Sequence, residues 1–210
     1  MPIITTPILD DFGRPDTTSI YENVWKDAFT SAHTAHFGIT GFKAYAVDAT
    51  TGPRSLGYWV SYPSITDFQV YATLTDVSST FDPGVAARIS IGASPTCYFA
   101  YWDAFNTRWA IRRLTSGSEI TISNTSAFAP SNGDKIVFQG KGNILSLWKV
   151  SSGVETLISE VVNSTYTTGY IGMYGLASSG APSAILDDFG GGSLVNSNIP
   201  GPIAGRGATW

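Results

Sequence analysis

Asp67-Phe68-Gln69-Val70-Tyr71-Ala72-Thr73-Leu74-Thr75 decides the fold class. Phe68, Val70, Ala72 and Leu74 share one parity, and Gln69, Tyr71, Thr73 and Thr75 share the other. Only an extended strand turns that two-residue period into one apolar face and one more polar face. Residues 85–91 read the same way. Residues 98–102 and 109–113 flank Asp103-Ala104-Phe105-Asn106-Thr107-Arg108, which reads as a hairpin loop. Ile120, Ile122 and Phe128 lead to Ser131-Asn132-Gly133-Asp134, a turn signal. Residues 135–139 and 144–150 bracket a second tight turn, Gly140-Lys141-Gly142-Asn143, and Ser151-Ser152-Gly153 turns the chain into 154–162. Residues 169–176 and 183–189 read as the last two strands. Turn signals at spacings of roughly 8–12 residues predict an antiparallel sandwich or barrel. Each strand is expected to put one face in the core and the other in water or against a partner. No amphipathic helix is legible, and residues 21–29 hold a short turn at most.

Composition supports this reading. The 210 residues are 43% apolar and 13% aromatic, so a core can be built. Only 13% are charged, half of the roughly 25% usual for soluble domains. Ser (24) and Thr (23) are abundant, whereas Glu (4) and Lys (5) are scarce, a balance that disfavours helices. Net charge is −4 and the 12 basic residues are scattered, which argues against a nucleic-acid partner. No apolar run is long enough for a membrane-spanning helix, so no membrane insertion is expected. No secretory leader is legible at the N-terminus, and synthesis in a host cytoplasm is the expectation. Cys97 is the one cysteine, which excludes an internal disulfide, and it reads as a small buried or half-buried residue.

Ile8-Leu9-Asp10-Asp11-Phe12-Gly13 recurs as Ile185-Leu186-Asp187-Asp188-Phe189-Gly190. So short an echo is not a tandem repeat. It predicts that the first and last strands lie side by side, closing a sandwich. The expected organisation is an N-terminal segment over 1–7, a β-sandwich over 8–190 and a Gly/Pro-rich arm over 191–210. The arm is expected to dock on a neighbouring subunit through Ile199, Ile203, Arg206 and Trp210, with Trp210 and Ile203 as apolar anchors.

The opening Leu9-Asp10-Asp11-Phe12-Gly13-Arg14 is followed in order by Gly133-Asp134-Lys135-Ile136, by Gly142-Asn143-Ile144-Leu145-Ser146-Leu147-Trp148, by Gly169-Tyr170-Ile171-Gly172-Met173 and by Ala184-Ile185-Leu186-Asp187-Asp188-Phe189-Gly190-Gly191-Gly192. This series resembles the concanavalin A-like (laminin G-like) jelly-roll domains of phage structural proteins, above all the minor tail proteins of phages that infect actinobacteria. The resemblance covers about residues 8 to 192. It implies an all-β, two-sheet antiparallel jelly roll and a virion role reached by lysis. The implied partners are other tail or capsid proteins and a host-surface glycan. A homo-oligomer follows by analogy, with a trimer common for tail appendages. Capsid decoration and a free carbohydrate-binding module or lectin are the alternatives.

Enzymatic chemistry finds little support. A jelly-roll glycosidase needs two carboxylates flanking the scissile bond, and Glu22, Glu119, Glu155 and Glu160 form no alternating acidic run. Asp10/Asp11 and Asp187/Asp188 are adjacent, so a strand points them to opposite faces. His33 and His36 lack a metalloprotease or nucleophile-elbow context and read as polar surface residues. Calcium is the one cofactor to weigh, with Asp11 or Asp188 plus backbone carbonyls as its oxygen ligands. In the competing reading Asp10 and Asp187 hydrogen-bond to loop amides at the strand ends. The glycan-site candidates are the rings of Tyr58, Trp59, Tyr62, Tyr101, Trp102 and Trp109, with Asp103, Asn106 and Arg108 as polar partners. Alternation puts Tyr98, Ala100 and Trp102 on one face and Phe99 and Tyr101 on the other, so only part of this set can be exposed. Phe99 and Trp148 are expected in the core.

Overall fold

The computed structural model describes residues 3–20, 24–30, 36–47, 54–62, 64–77, 81–177 and 184–194. The strands, in chain order, are β1 (Ile8–Asp10), β2 (Trp25–Asp27), β3 (His36–Thr40), β4 (Lys43–Val47), β5 (Arg54–Trp59), β6 (Phe68–Leu74), β7 (Phe81–Ile89), β8 (Cys97–Asp103), β9 (Arg108–Thr115), β10 (Ser118–Thr125), β11 (Lys135–Lys141), β12 (Ile144–Ser151), β13 (Val154–Val162), β14 (Tyr170–Ala177) and β15 (Ala184–Ser193). Among the described residues there is no helix. Two antiparallel sheets form the sandwich. One has the order β13-β12-β11-β6-β15-β4-β3, with β1 added beside β15. The other has the order β10-β9-β8-β7-β14-β5-β2.

The first and last strands pair, Ile8 with Gly190 and Asp10 with Phe189, as the sequence echo predicts. The reason lies at their inner ends. Phe12 and Phe189 are fully buried and both meet Trp25, at ring-centroid distances of 6.4 Å and 4.7 Å. Each such ring pair adds about 0.5–1.5 kcal/mol beyond its burial. Asp10 ties the same spot together. Its Oδ1 accepts from the Phe12 amide at 2.8 Å, its Oδ2 accepts from Trp25 Nε1 at 2.7 Å, and Arg14 donates to both oxygens at 2.7 and 2.9 Å. Asp11 is exposed, so the two neighbouring acids do point apart.

Two expectations change. β15 runs on to Ser193, so Gly191 and Gly192 belong to the sandwich, and the boundary expected after residue 190 falls inside a strand. The inner strands of the seven-stranded sheet, moreover, are buried on both faces. All seven residues of β8 are buried instead of alternating. Tyr98, Ala100 and Trp102 join the core between the sheets, whereas Cys97, Phe99 and Tyr101 join a second cluster with Leu56, Tyr58, Ala86 and Tyr174 on the outer face. Gly92, beyond β7, hydrogen-bonds to the Ala28 carbonyl and the Thr30 amide, beyond β2, although β14 and β5 separate those strands in the sheet. The two segments meet over the outer face and help to cover it. A strand covered on both sides has no need of a polar parity.

Candidate functional site

The β8–β9 hairpin brings the polar candidates together. Asp103 closes β8 and pairs with Arg108, which opens β9. Its carboxylate shapes the intervening turn. Oδ1 accepts from the Asn106 amide at 3.0 Å, both oxygens accept from Asn106 Nδ2 at 2.9 Å, and Oδ2 accepts from Arg108 Nε at 3.0 Å. Asp82, at the start of β7, accepts from the Ala104 amide at 3.1 Å and fixes the other side of the turn. Between these anchors Phe105 stands 84% exposed, more than any other large apolar residue described. A ring that projects into water from a turn held this firmly presents a flat apolar face beside polar neighbours.

Behind the tip, a charged network crosses the outer face. Glu119 on β10 accepts from Arg112 Nη1 at 2.6 Å, from Tyr174 Oη at 3.1 Å and from Arg54 Nε. Arg112 lies over the Tyr101 ring at 5.2 Å, and its Nη2 is 3.7 Å from Asp103 Oδ2. Burial works against the charge on both acids. For Asp103, the Asn106 hydrogen bonds and Arg108 outweigh burial and hold the carboxyl below its ordinary range. For Glu119, Arg54 and Arg112 do the same. Asp82 goes the other way. Burial pushes its carboxyl up to about 7, and the charges of Asp103 and Glu119 add to the rise.

This rise predicts a pH effect. Folded Asp82 keeps its proton from the ordinary carboxylate range up to about pH 7, where the unfolded chain has already released it. The stability it contributes is therefore full at acid pH and is lost as pH rises through about 7. Asp82→Asn keeps an acceptor for the Ala104 amide without that loss. It should raise unfolding stability by about 1–3 kcal/mol at pH 8, allowing for partial exposure, and leave it nearly unchanged at pH 4, as urea melts at the two pH values would show.

The aromatic candidates fare differently from the polar ones. Trp59, Trp102 and Trp109 point into the core between the sheets, where Trp102 and Trp109 pack edge-on at 5.3 Å. Tyr58 and Tyr101 lie in the outer cluster, 9% and 2% exposed, and burial raises the pKa of both. Tyr62 is half-buried against the core. The five buried rings have no free face for a sugar, because strand parity consumes three in one cluster and two in the other. Sequence reasoning missed Phe105, Glu119, Arg112 and Arg54. Phe105 carried a signal, an aromatic in a polar turn that no strand period buries. Phe99 is buried as expected, in the outer cluster, but Trp148 is half-buried on the outer face of the eight-stranded sheet. Cys97 is fully buried, which pushes its thiol up and makes it inert.

Among the described residues the calcium candidates are engaged with other partners. Asp188 accepts from Lys135 Nζ at 3.0 Å and from Thr73 Oγ1 at 3.1 Å, so its charge is already matched. Asp11 accepts from the Gly13 amide at 3.0 Å. Among the described residues no three of His, Cys, Asp and Glu come together. His33, Ile199, Ile203, Arg206 and Trp210 lie outside the described residues. An open pocket of about 490 Å³ is lined by Arg14, Asp16, Thr17 and Ile20 among others, on the connection from β1 to β2. None of the hairpin-tip residues lines it, and the Arg14 guanidinium is already spent on Asp10.

No family model and no curated protein matches this sequence. Solved structures do match in fold. The carbohydrate-binding module CBM66 from Bacillus subtilis superposes with a TM-score of 0.63 at 14% identity, over 81% of this chain and 96% of that one. The exoplasmic/lumenal domain of VIP36 in its Ca2+/Man-bound form gives 0.62 at 6% identity, over 85% of this chain and 86% of that one. A Bacillus subtilis protein of unknown function with a galectin-like fold gives 0.54 at 9% identity, over 80% and 89%. Identities this low establish shared architecture. The chain is a two-sheet, concanavalin A-like sandwich of the kind seen in carbohydrate-binding modules and lectins.

Proposed function

We propose that the chain recognises glycans without chemical turnover, at the tip of the β8–β9 hairpin. The observation that carries this reading is the exposed Phe105 ring beside Asn106 and Arg108, on a turn braced by Asp103 and Asp82. The apolar C–H face of a sugar stacks on such a ring, and the Asn106 side-chain oxygen and the Arg108 Nη groups meet its hydroxyls. Turnover by Glu119 or Asp103 is disfavoured, since both acids are committed to arginines and held ionised. Phe105→Ala leaves the core untouched. It should weaken binding to a matching immobilised glycan at least about tenfold, the worth of one aromatic contact, with an unchanged melting temperature. Unaltered binding by the variant would remove the tip from consideration.

The resemblance of the Asp-Asp-Phe and Gly-run motifs to phage minor tail proteins supports placing this module on a virion, where it would meet host-surface glycans. Residues 195–210 would then contribute the docking arm, with Ile199, Ile203, Arg206 and Trp210 as its anchors, in a tail or capsid-decorating assembly. A second reading, a free carbohydrate-binding module, is favoured by the 96% coverage of CBM66. Sedimentation separates the two. On the virion reading the chain pellets with purified particles and resists salt washing, and on the free-module reading it stays in the supernatant.

A further inference from the structure

The connection from β10 to β11 leaves the seven-stranded sheet and enters the eight-stranded one, at the end of the sandwich from which the β8–β9 hairpin projects. Thr125, the last residue of β10, pairs with Trp109. The indole Nε1 of the buried Trp109 donates to the Phe128 carbonyl at 3.1 Å. Arg108, the residue before it, donates to Asp103. Two consecutive residues of β9 thus tie down two turns, Arg108 the one that carries Phe105 and Trp109 the one that carries Phe128. The Phe128 turn is braced on either side as well. The Ala127 amide donates to Thr125 Oγ1 at 3.4 Å, and Lys149 Nζ, from β12, donates to the Ala129 carbonyl at 3.4 Å. Packed sheets lie about 10 Å apart, so Phe128, on the crossing between them, sits on the order of one such spacing from the hairpin that carries Phe105.

The Phe128 ring contributes little to folding. Phe128 is 57% exposed, and its backbone holds φ at 59°, a conformation that is costly for an aromatic residue and tolerated by Asn or Gly. Phe12 takes a similar φ but buries its ring fully in the core. The surroundings of the two exposed rings are small or polar. Asn106, Thr107, Ser126, Ala127 and Ala129 are exposed, and Arg108 is half-buried. The centre of a protein-binding patch is a continuous apolar surface inside a polar rim. Separate rings set among hydroxyl, amide and guanidinium groups suit instead a ligand that alternates apolar faces with hydroxyls, as a chain of sugars does.

We propose that Phe128 is a second sugar subsite beside Phe105, and that the ligand is an oligosaccharide long enough to stack on both rings. This rests on the glycan reading of the hairpin tip and adds the length of the ligand to it. A single sugar covers one ring. A longer chain, once held at Phe105, meets Phe128 as an intramolecular event, so the second stacking contact multiplies the affinity of the first. Both turns are fixed before the ligand arrives, which spares the cost of ordering them on binding.

A length series tests the proposal. An array of immobilised mono- to tetrasaccharides identifies a series that the full chain binds, and titration of its free members then gives a Kd for each length. The parent chain is expected to bind the tetrasaccharide at least about tenfold more tightly than the monosaccharide. Phe128→Asn should cut that ratio to below about threefold. It should also melt no lower than the parent, because Asn accepts the backbone angle. Phe128→Trp keeps a stacking platform and should keep the ratio, whereas Phe105→Ala should weaken every member of the series. No gain with length in the parent, or an undiminished ratio in Phe128→Asn, would overturn the second subsite and leave the hairpin-tip reading in place. Binding to no member of the array, or unaltered binding by Phe105→Ala, would overturn the hairpin-tip reading and the subsite with it.

Discussion

Replacing Arg88 with Met is expected to lower the unfolding free energy by about 3–5 kcal/mol, the range for breaking a buried, fully bonded charge. Arg88 is 2% exposed and lies inside the sandwich. It donates to the Thr66 carbonyl at 2.9 and 3.2 Å, to the Tyr166 carbonyl at 2.8 Å and to the Gly142 carbonyl at 2.6 Å. Its guanidinium lies over the rings of Phe68 and Tyr98, at 5.4 and 6.0 Å. Burial lowers its pKa, with the Tyr98 and Asp67 charges opposing. One cation thus pins three loops at one end of the sandwich. Met fills the volume but strands three carbonyls in a dry site. At about 2–4 °C per kcal/mol for a chain of this size, the melting temperature should fall by roughly 6–20 °C. Arg88→Lys keeps the charge but offers a point donor in place of a planar fork, so about half of the loss should remain. A Met variant that melts within about 2 °C of the parent would show that these carbonyls find other partners.

Asp10→Ala should cost about 2–4 kcal/mol. The substitution leaves the Trp25 indole N–H and the Phe12 amide without an acceptor in a fully buried spot, and it unpairs Arg14. Asp10→Asn retains one oxygen for Phe12 or Trp25 and should lose less. The loss should appear in both the first and the last strand, because Trp25 stacks on Phe12 and meets Phe189 edge-on. Amide exchange in β1 and β15 should therefore accelerate in parallel. Acceleration confined to β1 would mean that the two Asp-Asp-Phe segments are not held by a common anchor.

Much of the architecture was legible because strands advertise their parity. The 67–75 stretch, the two hairpins around 140–143 and 151–153, and the pairing of the Asp-Asp-Phe segments all appear where the pattern puts them. Local alternation cannot say whether a polar-looking face will be covered by a distant segment. Tyr101 is covered by Tyr174 and Arg112, and Tyr58 by Tyr170, partners that arrive from other strands, and no window around them carries that information. Arg88 illustrates a different limit. It is the extra residue of a bulge between pairs Ala87–Ile171 and Ile89–Tyr170, and its φ of 51° turns the side chain inward where regular parity would turn it out. At the hairpin tip the polar set Asp103, Asn106 and Arg108 was readable because an acid, an amide and a guanidinium in one short turn satisfy each other. Glu119, Arg112 and Arg54 were not, since they converge from three strands.

Amide chemical shifts recorded while a candidate glycan is titrated into the full chain test the central claim most directly. The account predicts saturable shifts at Phe105, Asn106 and Arg108, with smaller ones at Asp82 and Ala104, all abolished in Phe105→Ala. Saturable binding whose shifts fall instead on 14–20, or persist undiminished in that variant, would contradict it.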